Sequence, residues 1–576
     1  MPTVIIDGAV YEYEGQPKLL QFCLDHGVEL PHFCYHPAMS IPANCRQCLV
    51  EVGTPVRDRV TGELQRDEQG EPVVRFFPKL MTGCSQDLSD GMVVRTKRTS
   101  AVVEEAQRSN LEFLLINHPL DCPICDQAGH CPLQIQAYKY GPEGSRFEFR
   151  KVHKPKRVKL GPRVVLDAER CINCTRCTRF TEEVSGSHQL TIIARGVKNY
   201  PMTPPGVTFD EPYGMNVIDL CPVGALTSAD FRFQARIWEM SSTPSITTTN
   251  AKGSNCDYWV RDNLVLRITP RQNMDVNAYW LPDEDRLDYK RFNEDRPAGP
   301  QVRGVDGPTD ASWEQAYARA ADLLRGTDGS AVLFLGSAHA TLEDNYLLGR
   351  MAEALGAAPP SYIPHVEPGH GDGWLRTDDR TPNTQGCERL GLQPIDEALL
   401  RARLQAGEIQ AVYVLEDDPV AAGLFTEDEL KDVPVILHYY NTTNRTLAVA
   451  DVALPAAMVV ETVGTYVNED GHAQRVYPAK AIRGVNRTLR MQMGSSRADQ
   501  HGTPFDRWYN EAHRIDCKPS WEILPAVAAR LGHAMPYKGP KQVMAEVSGT
   551  VAAFTGATYE AMGLHGVRLQ DVAEPV

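Results

Sequence analysis

Alternating apolar and polar residues open the chain and predict a small β-rich fold. Thr3 to Tyr13 alternates around the turn residues Asp7 and Gly8, which predicts a β-hairpin. An amphipathic helix is predicted next, from Pro17 through Asp25. The polar stretch Thr54 to Pro78, with its prolines and glycines, predicts an inserted surface hairpin.

The second half of the chain has a different pattern, in which apolar runs of strand length are separated by helical segments. Ala331 to Ser337 and Ala411 to Leu415 are predicted to be buried parallel strands, with a helix at Leu342 to Leu355 between them. No apolar run approaches the roughly 18 residues that a membrane-spanning helix needs. The pattern predicts an α/β region and no membrane span.

Composition is typical of a globular protein with several domains. The 576 residues are 42% apolar, which is enough for several packed cores. The net charge of −15 argues against general affinity for nucleic acid or anionic lipid. Between Arg146 and Arg163, eight basic residues accompany a single acid, Glu148. We interpret this stretch as a solvated linker; the alternative is a docking strip for an acidic neighbouring subunit.

The cysteine pattern favours metal ligands over disulfides. The chain begins without the basic leader and apolar core of a secretory signal, so we expect that it is not exported. Of the 15 cysteines, an odd number, eleven fall into short spacings typical of metal ligands. With one histidine they make three sets of four donors: Cys34, Cys45, Cys48 and Cys84 (first set); His118, Cys122, Cys125 and Cys131 (second set); and Cys171, Cys174, Cys177 and Cys221 (third set). Each set has the four ligands that an iron–sulfur cluster needs.

The first set predicts a 2Fe-2S cluster. A short C-x2-C pair with one cysteine on each side suits a loop wrapped around the rhombic cluster. The spacing differs from the plant-type C-x4-C-x2-C, so the sequence predicts a variant ferredoxin. Cys23, in the predicted helix, is interpreted as a core residue rather than a fifth ligand.

The second set, H-x3-C-x2-C-x5-C, predicts a 4Fe-4S cluster with one imidazole ligand. A zinc site accepts the same donors and is the alternative interpretation, but cluster motifs on both sides favour iron. A neutral imidazole in place of a thiolate removes one negative charge from the ligand shell and is expected to raise the reduction potential. The neighbouring His130 is interpreted as a surface residue or as a residue that supports a ligand.

The third set combines C-x2-C-x2-C with a distant C-P pair, the pattern of bacterial-type ferredoxins, and predicts a second 4Fe-4S cluster. In two-cluster ferredoxins the fourth cysteine of a run serves the other cluster. Only one C-x2-C-x2-C run exists here, and no C-x3-C-P follows Cys177. Cys221 is therefore expected to close the same cluster.

Longer segments around the three sets carry a family resemblance. These are Cys34-Tyr35-His36-Pro37, Asn117 to Asp126, Glu169 to Cys174, and Asp219 to Leu226. In them the chain resembles the large iron–sulfur subunit of NADH:quinone oxidoreductase (respiratory complex I), called G in bacteria and 75 kDa in mitochondria. The resemblance implies a 2Fe-2S cluster on the first set and 4Fe-4S clusters on the other two. It also implies that electrons pass from a flavin-bearing NADH-oxidising subunit toward a quinone site in other subunits.

Residues after about 240 resemble the molybdopterin oxidoreductase fold, through Thr381 to Gly386, Asp451 to Pro455 and Gly464 to Gly471. Catalytic members and some complex I subunits carry an extra cluster motif early in this region, C-x2-C-x3-C with a remote fourth cysteine. Only Cys256 is present here, so a fourth cluster is not expected. No cysteine lies between Pro359 and Trp374, where a molybdenum ligand would be expected, and we expect no molybdenum.

The other histidines and cysteines of this region are interpreted as structural. His365 and His370 are isolated in a loop and are interpreted as ordinary surface residues. Cys387 and Cys517 lie outside the expected ligand positions. Whether a pterin still binds in this region stays open.

Together these observations predict a mixed α+β and α/β multidomain protein. The expected domains are a 2Fe-2S ferredoxin-like β-grasp domain (1–98), a 4Fe-4S domain with one histidine and three cysteine ligands (99–150), a bacterial-ferredoxin-like 4Fe-4S domain (151–240), and a molybdopterin-oxidoreductase-like α/β domain that lacks the metal ligand and has a structural role (241–576).

The expected function is electron conduction in the peripheral arm of complex I, without bond chemistry by this chain. The expected partners are the flavin-bearing NADH-binding subunit and the quinone-proximal subunits, at the cytoplasmic face of the inner membrane. The alternative is an iron–sulfur subunit of an NAD-linked formate dehydrogenase or hydrogenase. No G-x-G-x-x-G fingerprint follows a strand, so direct NADH binding by this chain is not expected.

Overall fold

A computed structural model describes residues 1–58, 61, 63–70, 72–482 and 516–570. The chain divides into two compact units, Met1–Glu239 and Met240–Val576. The fold class predicted from the sequence is confirmed, because each unit combines α-helices and β-sheets in its own arrangement.

The first unit is built from short elements. Its strands are β1 (Thr3–Ile6), β2 (Ala9–Glu12), β3 (Leu49–Pro55), β4 (Val74–Phe76), β5 (Met81–Thr82), β6 (Met92–Arg95), β7 (Val158–Lys159), β8 (Val164–Leu166), β9 (Thr191–Ile193), β10 (Tyr200–Met202) and β11 (Leu226–Ser228). Its helices are α1 (Leu19–Asp25), α2 (Ala101–Leu115), α3 (Pro132–Tyr140), α4 (Arg176–Arg179) and α5 (Asn216–Leu220).

The start of the chain forms a β-grasp sheet in the order β2-β1-β6-β3-β4, with β5 paired to β3. The predicted hairpin is confirmed, since β1 and β2 are antiparallel with Ile6 opposite Ala9. The predicted helix is confirmed as α1, which ends before Gly27; this glycine has a φ of 68°, a left-handed conformation that terminates helices. Cys23 is fully buried in the core under the sheet, as predicted.

The segment predicted as an inserted hairpin leaves and returns along paired strands. Gly53 of β3 lies opposite Phe76 of β4, and Pro55 lies opposite Val74. The hairpin prediction is confirmed for these arms; residues 59, 60, 62 and 71 of the same segment lie outside the described residues.

The rest of the first unit has two small sheets, β11-β8-β7 and β10-β9, around α4 and α5. The helix α2 begins at a cap in which the Ser100 hydroxyl accepts from the amide of Val103. Its buried residues Val103, Gln107 and Leu111 are four apart and form one face.

The second unit contains a larger sheet. Its strands are β12 (Ser241–Ile246), β13 (Asn255–Arg261), β14 (Leu264–Pro270), β15 (Gln301–Gly304), β16 (Gly307–Asp310), β17 (Val332–Gly336), β18 (Ser361–Tyr362), β19 (Gln393–Pro394), β20 (Ala411–Val414), β21 (Val435–Tyr439), β22 (Val452–Pro455), β23 (Gly464–Val467), β24 (His472–Val476) and β25 (Val567–Arg568). Its helices are α6 (Asp283–Leu287), α7 (Trp313–Arg325), α8 (Leu342–Ala354), α9 (Thr384–Arg389), α10 (Glu397–Gln405), α11 (Glu427–Leu430), α12 (Ser520–Arg530), α13 (Pro540–Thr550) and α14 (Tyr559–Met562).

Eight strands make the main sheet of this unit, in the order β16-β15-β22-β21-β20-β17-β18-β19. The six strands from β22 to β19 are parallel. The predicted strands are confirmed as β17 and β20, and the predicted helix as α8. Because β17 connects outward to β18 while β20 lies on its other side, the strand order reverses between β17 and β20.

Helices of the described part of the chain are too short or too polar to cross a membrane.

Candidate iron–sulfur sites

The first set lies in the loop between α1 and β3 and just after β5. All four of its cysteines are at most 6% exposed. The thiols of Cys45 and Cys84 hydrogen-bond to the Cys34 sulfur, and the Cys84 thiol also hydrogen-bonds to Cys48. These bonds lower the pKa of Cys34, which gains donors, and raise the pKa of Cys84, which holds a proton between its neighbours. The four donors therefore converge at one place.

Helix α2 holds this loop from one side. The Gln107 side chain donates to the carbonyl of Leu49 at 3.0 Å, and the Asn110 side chain donates to the carbonyl of Cys45 at 2.8 Å. Asn110 also donates to the Gln47 amide oxygen at 2.8 Å. Each bond takes a polar group at or next to a cysteine, so α2 fixes the positions of the ligand candidates.

The second set follows the end of α2. Cys122 begins a single 3-10 turn, and Cys131 directly precedes α3. Burial raises the pKa of Cys125 and raises that of Cys131 to about 11, whereas Cys122 is exposed. Burial, and then the cation of Arg170, lowers the pKa of His118 to about 4. Its Nδ1 is buried without a hydrogen-bond partner among the described residues, so the side chain is a neutral imidazole, the form that binds metal.

Within the described ranges, no three His, Cys, Asp or Glu side chains are placed to ligate one metal ion. The preference for a 4Fe-4S cluster over zinc at the second set therefore stays a prediction from the sequence.

The basic stretch that follows α3 folds back onto the second set. Lys151 donates to the carbonyls of the last residue of α2 and of its cap, at 3.1 and 2.7 Å. The Lys156 ammonium lies 2.6 Å from Asp121, 2.8 Å from Glu169 and 3.5 Å from Asp167. The interpretation of this stretch as a solvated linker is therefore wrong for these lysines, because carboxylates and carbonyls of the same unit bind them.

The third set encloses a cavity lined by all four of its cysteines. Backbone N–H groups donate to each sulfur, for example from Asn173 to Cys171 at 3.4 Å. Asn173 and Thr175 adopt left-handed backbone conformations, with φ of 52° and 60°, which is typical of the concave turns that present N–H groups to anions. Burial raises the pKa of all four thiols.

Two arginines of α4 join the third set to the first. Arg179 donates to the carbonyl of Cys34 at 2.5 Å and also to the carbonyl of Ser40. Arg176 donates to the carbonyl of Tyr35. These arginines were missed from the sequence, where their only signal was the repeated tripeptide C-T-R at 174–179.

The segment after Cys221 joins the third set to the second. The carbonyl oxygen of Pro222 lies 3.7 Å from the Cys131 sulfur. A Cβ added to Gly224 would lie 2.2 Å from the Cys125 sulfur, so the backbone of Gly224 forms a wall of the second set. Gly224 was also missed; its place three residues after a ligand cysteine was the only signal. The third set therefore contacts both the first and the second, although it follows both in the sequence.

The three cysteines of the second unit are fully buried, which agrees with the structural interpretation of Cys387 and Cys517. Cys256 lies on β13, Cys387 on α9, and Cys517 beside Glu461 and Arg296.

The histidines at 365 and 370 are not ordinary surface residues, so that prediction was wrong. The Nε2 of His365 lies 3.0 Å from Asp417, and the Nε2 of His370 lies 2.9 Å from Glu284. Although burial opposes protonation, the Asp417 carboxylate raises the pKa of His365. Tertiary contacts between distant loops create both pairs, which sequence spacing does not reveal.

A cavity of about 400 Å³ opens where the strand order reverses, at the carboxyl ends of the parallel strands. Its ionisable lining, among the described residues, consists of His339 and His365 with Glu416, Asp417 and Asp418, together with tyrosines and without a cysteine. Carboxylates repel phosphate, so these residues do not fit a phosphate-bearing pterin cofactor.

Five family models match separate parts of the chain. They are described as 2Fe-2S iron-sulfur cluster binding domain (residues 2–99), NADH-ubiquinone oxidoreductase-G iron-sulfur binding region (107–146), NADH-quinone oxidoreductase subunit 3, ferredoxin-like domain (161–227), NADH-ubiquinone oxidoreductase NDSU1/NuoG-like, 4Fe-4S domain (240–290), and Molybdopterin oxidoreductase (371–488).

Curated relatives agree with these models. The G subunit of NADH-quinone oxidoreductase from Rickettsia conorii is 35% identical over 61% of this chain and 49% of its own length. Subunit 3 from Thermus thermophilus is 36% identical over 62% of this chain and 46% of its own, and the 75 kDa subunit from Reclinomonas americana is 39% identical over 55% and 42%. The matched part of this chain is homologous to the G subunit.

The match spans about half the length of these G-subunit relatives. A solved structure, described as an NAD+-reducing [NiFe]-hydrogenase in the H2-reduced state, is 24% identical, with a TM-score of 0.33, and covers 41% of this chain and 91% of that chain. In the range of the NDSU1/NuoG-like model, this chain has a single cysteine, Cys256, on a fully paired strand. One thiol is too few ligands for a cluster in that range.

Proposed function

We propose that this chain conducts single electrons as the large iron–sulfur subunit in the peripheral arm of NADH:quinone oxidoreductase. The first set would hold a 2Fe-2S cluster, and the second and third sets one 4Fe-4S cluster each. When bound, such clusters take up and release electrons one at a time. The homology to the G subunit and the iron–sulfur family models support the proposal.

The observation that carries the proposal is the contiguity of the three sets. Arg176 and Arg179 contact the backbone of the first set from within the third, and Pro222 and Gly224 contact the second. A relay requires donor sets that contact one another, whereas separate structural metal sites need no such contact.

The protein would then tune the reduction potentials of the clusters through its backbone N–H donors and through the charge of their ligands. Backbone N–H groups at the third set stabilise negative charge on the sulfurs. His118, as a neutral imidazole, leaves the second set with one negative charge fewer than the other two, so its cluster would have the higher potential for its type.

The partners in this proposal are the flavin-bearing NADH-binding subunit as electron donor and the quinone-proximal subunits as acceptors. The chain would lie at the cytoplasmic face of the inner membrane as a peripheral subunit. Its domains would be 1–98, 99–150 and 151–240 for the clusters, and 241–576 as a scaffold. The acidic cavity supports the view that this last region carries no molybdenum.

Metal analysis and electron paramagnetic resonance (EPR) of the anaerobically purified full chain test the cluster assignment. We expect three distinct signals on stepwise reduction. Cys45→Ser, Cys125→Ser and Cys174→Ser should each remove one signal, whereas Cys387→Ser, outside the sets, should remove none. Stoichiometric zinc, or fewer than three clusters in fully loaded protein, would refute the proposal.

The same variants in the assembled complex test the role of the chain. Each of the three should abolish NADH-dependent quinone reduction while leaving NADH-dependent ferricyanide reduction by the flavin subunit. Unchanged quinone reduction in the cluster-deficient variants would contradict the relay.

A further inference from the structure

Arg176 and Arg179 differ from the other buried cation of this region in that no carboxylate of the described residues neutralises them. Within the part of the chain that the structure describes, no Asp or Glu oxygen lies within 4.0 Å of either guanidinium. Arg170, only a few residues away, shows the ordinary arrangement, with Asp121 at 3.0 Å and Asp167 at 3.2 Å.

Neutral acceptors take up most of the hydrogen-bonding capacity of the two side chains. Arg176 donates to the carbonyls of Leu220, at 3.2 Å, and Tyr35. Arg179 donates to the carbonyls of Cys34 and Ser40. Three of these carbonyls belong to a ligand candidate or to a residue next to one, so the arginines fasten the first set and Cys221 to α4.

Burial makes the missing counter-charge significant. Arg179 is 7% exposed, and the Nε of Arg176 is buried without a hydrogen-bond partner among the described residues. A buried cation costs several kcal/mol unless an anion compensates it, and carbonyl dipoles compensate only in part. The fold therefore needs an anion near both side chains.

The groups beside these arginines that become anionic when they bind a metal cluster are the cysteine sulfurs of two sets. Arg176 interacts electrostatically with Cys34 of the first set and with Cys174 and Cys221 of the third. Arg179 acts on Cys174 from the same helix. An iron–sulfur cluster with four thiolates has a net negative charge, so a cluster in each set would supply the missing anion.

We propose that Arg176 and Arg179 are the shared counter-charges of the first and third clusters and that they raise the reduction potentials of both. This inference rests on the proposed function. Reduction adds one negative charge to a cluster, and a fixed positive charge nearby stabilises the reduced form more than the oxidised form. The second cluster has Arg170 instead, whose charge two carboxylates already offset.

The test is a potentiometric titration of the full, cluster-loaded chain followed by EPR. Arg176→Gln and Arg179→Gln remove the charge but keep a side-chain amide donor, and Arg176→Lys and Arg179→Lys keep the charge. In each Gln variant we expect the one-electron reduction equilibrium of the first and third clusters to fall at least tenfold, a shift of about 59 mV, while that of the second cluster stays unchanged. In the Lys variants the reduction potentials of the first and third clusters should lie close to those of the unsubstituted chain. Arg195→Gln, at an exposed site, is the matched control and should shift none.

The outcomes separate this inference from the proposed function. Absence of three cluster signals in the unsubstituted chain overturns the proposed function. Full clusters with unchanged potentials in both Gln variants overturn only the role of the arginines. If a Gln variant loses a cluster, the Lys variant decides: restored clusters at near-original potentials support the counter-charge, and continued loss shows that the guanidinium geometry is needed and overturns it.

Discussion

The carbonyl oxygen of Pro222 lies 3.7 Å from the sulfur of Cys131, 91 residues away in the sequence. Pro222 directly follows the last cysteine of the third set, and Cys131 is the last cysteine of the second. The same short segment therefore ends one set and forms part of the wall of the next. This shared wall joins two sets of the proposed relay, and it makes the second set sensitive to changes outside its own motif.

Gly224→Ala should abolish the second cluster and spare the third. The added Cβ would lie 2.2 Å from the Cys125 sulfur and 3.1 Å from the Cβ of Gln127, and real structures do not tolerate the first distance. EPR of the reduced protein and iron content per chain measure the loss. Gly144→Ala is the control, since nothing lies within 4 Å of its Cβ position. An intact second-cluster signal in Gly224→Ala would contradict the shared wall.

His118→Cys should retain the second cluster but lower its reduction potential by at least about 59 mV, because a thiolate adds a negative charge to the ligand shell. Potentiometric EPR measures the shift. His130→Gln tests the neighbouring histidine, which lies beside Cys131 but outside the set. If His130→Gln moved the potential and His118→Cys did not, the ligand assignment would be wrong.

Lys156→Met should loosen the second set. Asp121, Asp167 and Glu169 would lose one of their cations, and Asp167 and Glu169 are almost fully buried. The Lys156 side chain is itself 45% exposed, so we expect a modest loss of about 1–2 kcal/mol in local stability. Faster release of iron from the second cluster to a chelator is the measurement. Lys159→Met, an exposed lysine of the same stretch, should leave the release rate unchanged.

Asp285 should make the second unit less stable as pH rises. Burial raises the pKa of this carboxyl from 3.8 to about 7, against the opposing hydrogen bonds from Thr249 and Thr247. Between these values the folded state holds a proton that the unfolded state has lost, so stability falls as pH increases, by at most about 1.4 kcal/mol per pH unit. Above about 7 the loss is complete.

Urea unfolding between about pH 4.5 and 8, followed by tryptophan fluorescence, checks the Asp285 prediction. Six of the seven tryptophans belong to the second unit, so the signal reports mainly on it. Asp285→Asn does not titrate, and its pH slope should be smaller than that of the unsubstituted chain. Equal slopes would show that Asp285 is not the responsible group.

Much of the fold could be predicted because local patterns agree with it. Apolar periodicity and turn residues predicted the hairpin at Asp7 and Gly8, the helix through Asp25, and the strands β17 and β20. The ion pairs of His365 and His370 could not be predicted from the sequence. Each pairs with a carboxylate from a distant loop, and nothing in the spacing of a loop histidine encodes that partner.

The three donor sets, the four ligands of each and the imidazole ligand His118 could be predicted from the sequence, because ligand spacing within a loop is a local property of the chain. The contacts between the sets could not be predicted in this way. Helix α4 contacts the first set and the segment after Cys221 contacts the second, and these contacts join residues more than 90 positions apart in the sequence. Likewise, the tripeptide repeat at 174–179 gives the positions of two arginines in the sequence. Only the folded chain shows that carbonyls accept their hydrogen bonds and that no carboxylate of the described residues pairs with them, because burial and pairing depend on tertiary packing.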